Sequence, residues 1–288
     1  MKFAPRNAAI LLMFLLAPVL LPQKFTFLPE NNTPLSIKSY DFEPKFGVAL
    51  FPSDGKLKVD VGNIQDIIRY DFDSTGNSFL TSSVEFFAYA DITSYKDYRL
   101  QVAALDGFFG GRFSYINRTE TRENSLRFRF IHRSAHLVDG YYDYQTRFWI
   151  DGKDPIPYAN DFFELASFNS VISSDNRATL SIGVAGSILV RPQSQSAVYG
   201  FVAFEDFYNT GVHFLGKNLN LFLSYTLRLQ GLSDYAGNNH LMAGVKIGER
   251  EQTGVSIFAS YYAGLNYYGA FYTKYVSRFS LGFTVDFL

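Results

Sequence analysis

The chain has 288 residues, no cysteine, and a net charge of −1 from 26 basic and 27 acidic residues. The cysteine count excludes disulfides, thiolate zinc sites, a cysteine nucleophile and a lipoprotein cysteine. The balanced charge gives no electrostatic basis for a nucleic-acid partner.

Lys2 and Arg6 precede an apolar run from Ala8 to Leu21. A basic start and a short apolar core read as an export signal, expected over residues 1–24. That run is too short for a comfortable membrane-spanning helix. Residues 25–43, with Pro29, Asn31, Asn32 and Pro34, are polar and turn-rich and read as a periplasmic lead-in.

From residue 44 to 288 the dominant signal has a period of two. Leu57, Val59 and Val61 alternate with Lys56, Lys58 and Asp60, and Leu126, Phe128 and Phe130 alternate with Arg127 and Arg129. The longest case runs from Leu219 to Leu229, with leucines and Tyr225 on one face and Asn220, Ser224, Thr226 and Arg228 on the other. The last strand sets Phe279, Leu281, Phe283, Val285 and Phe287 against Ser280, Gly282, Thr284 and Asp286. Such strands put apolar side chains toward lipid and small or polar ones toward a lumen. Backbone groups in lipid must pair internally, so the pattern implies a closed barrel. The aromatic content of 18% suits its interfacial girdles. The expected fold is all-β: a closed antiparallel transmembrane β-barrel of about twelve strands, with ten the next choice. With the export signal, it places the chain in a bacterial outer membrane, among outer-membrane lipids and delivered by barrel-assembly machinery.

Parity sorts the polar residues. Arg127, Arg129 and Arg133 share the inward row, as do Arg228 and Lys246 on later strands, so these are expected to pair with lumen acids such as Glu85 and Asp91. His132, Ser134 and His136 continue the outward row of Leu126, Phe128 and Phe130. Residues two apart on a strand face lie roughly 6.6 Å apart, so an imidazole leaning along the strand can approach a hydroxyl. Serine becomes a nucleophile when a base takes its proton, and a third group orients that base. Here Ser134 is the candidate nucleophile and His132 the base, with His136 auxiliary. Asp139, Asp143 and Glu164 are candidate orienting acids. The plainer reading is an interfacial strand end whose polar side chains bond headgroups. His132 and His136 are about 13 Å apart on an extended strand, so no shared metal site is expected. No resident cofactor is expected either, with calcium left open as an aid to oxyanion stabilisation.

The dyad His132–Ser134 resembles the His-x-Ser pairs of the outer-membrane phospholipase A barrels and of PagL-type lipid A deacylases. That resemblance implies an acyl-ester hydrolase working on membrane lipid from the outside of the barrel. The chain departs from those families in having Ala135 directly after the serine and Thr146 where an orienting Asn or Glu would stand. A broader resemblance covers most of the mature chain, carried by Asp41–Gly47, His132–Asp139 and Tyr261–Tyr272. It is to a family of uncharacterised bacterial outer-membrane proteins, a domain of unknown function with the motif His-x-Ser-Ser-His-Leu-Gly-Asp-Glu. Ala135, Val138 and Gly140 replace three positions of that motif. It implies the fold and location and carries no activity. The competing class is a non-catalytic barrel, either a narrow channel or a structural envelope protein.

Overall fold

The computed structural model describes residues 24–287 apart from 31, 34, 96–98 and 233. The expected signal segment therefore lies outside the described residues, save Lys24. The strands are β1 (Lys24–Phe27), β2 (Gly47–Phe51), β3 (Lys56–Asp71), β4 (Ser78–Tyr95), β5 (Arg99–Arg118), β6 (Arg122–Leu137), β7 (Tyr142–Asp143), β8 (Phe148–Trp149), β9 (Tyr158–Ile172), β10 (Asn176–Arg191), β11 (Val198–Phe214), β12 (Lys217–Gly231), β13 (Tyr235–Ile247), β14 (Gly254–Leu265) and β15 (Tyr275–Asp286). Strands β2–β6 and β9–β15 pair antiparallel with their neighbours, and β2 bridges β3 to β15. The result is the closed twelve-stranded barrel expected from the alternation. The pair β7–β8 is a small ladder within the long loop 138–157.

The burial pattern is that of a barrel in lipid. Along β6 the outward Leu126, Phe128 and Phe130 are exposed, while the inward Arg127 and Arg129 are fully buried. On β15 the outward Phe279, Leu281 and Phe283 are exposed and the inward Ser280 is buried. A water-soluble protein would bury those aromatics and expose those charges. Hydrocarbon outside and a polar, closely packed interior reconcile the two.

The first barrel strand is split, and the chain between its parts turns inward. β1 pairs with the end of β3, Lys24 opposite Asp71 and Phe27 opposite Ile68. β2 pairs with the start of β3, from Gly47 opposite Asp60 to Phe51 opposite Lys56. Between them, residues 35–43 run through the barrel interior. This corrects the expectation of a periplasmic lead-in over residues 25–43. The physical reason is twofold. Leu35, Ile37, Tyr40 and Phe42 are buried in the lumen, with Phe42 packed on Phe108, Phe162 and Tyr199 at 5.7–6.0 Å between ring centroids. The same segment supplies acceptors that the lumen needs. The carbonyl of Leu35 accepts from Arg112 and Arg127, that of Phe42 from Arg129 (2.8 Å), and the Glu43 carboxylate pairs with Arg127 at 2.6 Å.

Arg127 and Arg129 are held in one network of buried carboxylates. Glu164 is shared by Arg127 (2.8 Å) and Arg129 (3.2 Å) and accepts from the Tyr40 hydroxyl (2.8 Å). Glu85 binds Arg129 at 2.8 Å, and Asp91 binds Lys56 at 2.9 Å. Arg133 pairs with Asp106 at 2.7 Å. Lys246 lies 2.6 Å from Asp286, and Arg228 donates to Gln230 and sits over the Phe42 ring. At the loop end, residues 267–271 fold into the barrel mouth. Gly269 N donates to Asp106, and the Tyr267 carbonyl accepts from Tyr89 and Arg133. A Cβ at Gly269 would come within 2.6 Å of Ala135 Cβ, so this close approach requires glycine.

Removing one partner of a buried ion pair strands the other charge and costs about 3–5 kcal/mol. Glu164→Gln is therefore expected to lower the thermal unfolding midpoint in detergent, followed by circular dichroism. Leu180→Ala on the lipid face should shift it far less. Equal midpoints for the wild type and Glu164→Gln would contradict the role given to this network.

Candidate functional site on the outer face

Strand register, rather than nearness in the chain, assembles the candidate site. β6 lies between β5 and β9, with His132 opposite Phe109 on one side and Asp161 on the other. Side chains directly opposite on one face have Cβ atoms about 4.5–5.5 Å apart. His132 and Asp161 both point outward, and the Asp161 carboxylate accepts from His132 Nδ1 at 2.5 Å. That contact holds Nδ1 and leaves Nε2 facing away from the acid. The imidazole is about half exposed on the outer surface.

Ser134 lies two residues further along the same outward row, partly exposed. Its cross-strand neighbours are Gly107 and Ala159. Both are small, so the hydroxyl sits in a shallow notch, and a Cβ placed on Gly107 would lie 3.8 Å from Ser134 Oγ. Phe109 and Leu105, exposed on β5 beside His132 and His136, make the surroundings of the notch apolar. Among the described residues no hydrogen bond joins Ser134 to His132. The two share a face and a row, and the ring must lean along the strand to reach the hydroxyl. His136 is exposed, opposite Leu105, near the start of loop 138–157.

The acids put forward from sequence stand elsewhere. Asp139 opens a short 3-10 turn (Asp139–Tyr141) beyond the strand end. Asp143 lies in β7, where its carboxylate accepts the backbone N–H of Gln145 at 2.9 Å. Glu164 is in the lumen, on the opposite side of the wall. The acid that meets His132 is Asp161, which sequence reasoning passed over. A signal was present: on β9, Asp161 interrupts an outward row continued by Phe163 and Leu165, and a lone acid in a lipid-facing row calls for a partner. Loop 138–157, which separates β6 from β9, hid that partner from any local motif.

The loop beside the site is tied down by charge. Lys274 binds Asp151 at 2.9 Å, and the Tyr141 hydroxyl donates to the same carboxylate at 2.8 Å. These two hydrogen bonds hold the Asp151 carboxyl below the usual aspartate range. Among the described residues no group of three or more His, Asp or Glu side chains could hold a metal ion.

No family model matches the chain, and no curated protein matches it. Among solved structures it is similar to the beta domain of the Bordetella autotransporter BrkA, with 10% identity over 85% of this chain and 100% of that one, at a TM-score of 0.42. It is also similar to OmpT of Vibrio cholerae, with 10% identity over 87% and 99% of the two chains, at a TM-score of 0.36.

If Asp161 sets the imidazole, its charge selects the tautomer with the proton on Nδ1. Nitrogen-15 shifts of the histidine ring at pH 8.5 should report that tautomer for His132 in the wild type. A mixture is expected in Asp161→Asn. An unchanged tautomer ratio in the variant would mean that the contact does not orient the ring.

Proposed function

We propose that this chain is an outer-membrane barrel that hydrolyses acyl esters of membrane lipids on its outer face. The single observation that carries the reading is the carboxylate of Asp161 on Nδ1 of an outward-facing His132, with Ser134 in the same row. An acid on Nδ1, a free Nε2 and a nearby hydroxyl are the ordered parts of a base-activated serine. Their position suits a substrate that never leaves the bilayer.

In this reading His132 Nε2 accepts the Ser134 proton as Oγ attacks the ester carbonyl carbon. The tetrahedral species collapses, the carbon–alkoxy bond breaks, and His132 returns the proton to the leaving oxygen. A water molecule, deprotonated by the same ring, then releases the fatty acid and restores Ser134. Asp161 keeps the ring oriented and stabilises its charged form without taking the proton. The notch formed by Gly107 and Ala159 leaves room for the ester beside Oγ. Catalytic hydrogen bonds are often long or poorly aligned in apo structures and tighten only with substrate bound, and in this reading the Ser134–His132 bond closes at that stage.

The likeness of His132–Asp139 to the uncharacterised barrel family fits the same location, an outer membrane with short turns toward the periplasm and longer loops outside. Loop 138–157 would then face outward, and the site would address the outer leaflet. The channel alternative is disfavoured by a lumen occupied by residues 35–43 and by the arginine network.

The test is turnover of phospholipid and lipid A esters by refolded protein, with and without calcium. Ser134→Ala and His132→Ala should abolish turnover. Asp161→Asn should reduce kcat by on the order of 10⁴-fold, as loss of the orienting acid does in serine triads. Wild-type turnover no greater than that of Ser134→Ala on every substrate would overturn the proposal.

A further inference from the structure

The split first strand leaves a seam in the barrel wall. β3 is paired with β2 as far as Asp60 and with β1 from Ile68, so its residues 61–67 have no strand on that side. Asn32 partly takes the place of one: its side chain donates to the Ile64 carbonyl at 3.0 Å and accepts from Asp66 N at 2.8 Å. Two cavities meet at this seam and share Phe46, Gly62, Asn63, Ile64 and Phe287 in their walls. The outer one, about 440 Å³, is a groove in the lipid-facing surface lined by Val61, Val84, Phe86 and Phe109. The inner one, about 120 Å³, lies on the lumen side and is lined by Lys38, Lys45, Arg112 and Arg250 together with Glu205, Glu251 and Asp286.

The charges of the inner cavity do not balance locally. Its three acids are engaged: Glu205 and Glu251 each with Arg250 at 3.2 Å, and Asp286 with Lys38 at 3.6 Å and Lys246 at 2.6 Å. Among the described residues the hydrogen bonds of Arg112 and Lys45 go to carbonyl oxygens. Arg112 donates to Leu35 at 3.3 Å and Thr33 at 3.0 Å, and Lys45 to Tyr40 at 3.0 Å. Among the described residues neither cation forms an ion pair within 4.0 Å; Glu85 and Glu43 act on Arg112, and Asp60 and Asp41 on Lys45, only from a longer distance. The Arg112 side chain is fully buried, and its Nε has no hydrogen-bond partner among the described residues. A buried cation facing neutral acceptors is under-compensated, and an anion delivered to it forms strong charge-assisted hydrogen bonds.

We propose that the seam binds a single-chain anionic amphiphile, with its hydrocarbon chain in the outer groove and its carboxylate or phosphate head in the inner cavity against Arg112 and Lys45. The apolar groove opens to the membrane, so the ligand arrives sideways from the bilayer. The inner cavity holds roughly four waters by liquid volume, a size suited to a compact head group. Both a free fatty acid and a lysophospholipid have this chemistry. The proposal does not depend on ester hydrolysis, although Phe109, which lines the groove, stands opposite His132.

Binding is tested by native mass spectrometry of the refolded full barrel in the Ser134→Ala background, where turnover plays no part. Oleate and lysophosphatidylglycerol probe the two head groups, with oleyl alcohol as the uncharged control. At least one anionic probe should be retained at one copy per barrel, about tenfold more tightly than the alcohol, the effect of one charge-assisted contact. The tighter of the two anions identifies the preferred head. Lys45→Gln should weaken the anion about tenfold and leave the alcohol unchanged. Val84→Trp, which fills the groove from the lipid side without touching the lumen, should weaken both. Equal retention of the anions and the alcohol would overturn the proposal, as would anion binding unaffected by both substitutions.

Discussion

Two arginines side by side on β6, Arg127 and Arg129, have no access to water, and most of the architecture follows from how their charge is satisfied. Isolated ions in such a place would cost many kcal/mol, so each must find a carboxylate. Glu164 comes from β9 and Glu85 from β4, both across the sheet or the lumen. Glu43 comes from a segment that has left the barrel wall to reach them. The inward course of residues 35–43 is thus coupled to the charge on β6. The same detour leaves β2 short and opens the seam beside β3.

This arrangement divides the molecule into two chemical zones separated by one wall. Inside, ion pairs and aromatic rings pack around the inserted segment, and the loop carrying Gly269 closes one mouth. Outside, aliphatic and aromatic side chains meet lipid, and polar residues are few enough that each needs a reason. His132, Ser134 and Asp161 form one such polar group on the outer face. Their backbone is fixed by ladders on both sides, so the rigid element that a preorganised site requires is already present.

The sequence made the barrel legible because a strand with lipid on one side and a filled lumen on the other alternates with period two, and this holds over short windows. It also sorted His132 and Ser134 from Arg127, Arg129 and Arg133 by parity alone. Residues 35–43 do not stand out as a barrel element because their apolar side chains fall in two short pairs, Leu35 with Ile37 and Tyr40 with Phe42, out of phase with each other and preceded by turn formers. Their partners, Arg127, Glu164 and Ser224, lie on strands far along the chain. Asp161 was missed for a related reason. Which residue stands opposite His132 depends on the register between β6 and β9, and loop 138–157 conceals that register from the chain. Asp139 and Asp143 follow the strand end in a 3-10 turn and in β7, whereas Asp161 stands in register opposite His132.

Residues 35–43, locked onto buried arginines, close the lumen, and ion conductance of the refolded protein in planar bilayers reads that closure. The sealed interior predicts no sustained conductance above that of the bare bilayer at moderate voltage. A stable open channel in the unmodified protein would contradict the account, because a water-filled path cannot coexist with the side chains placed there.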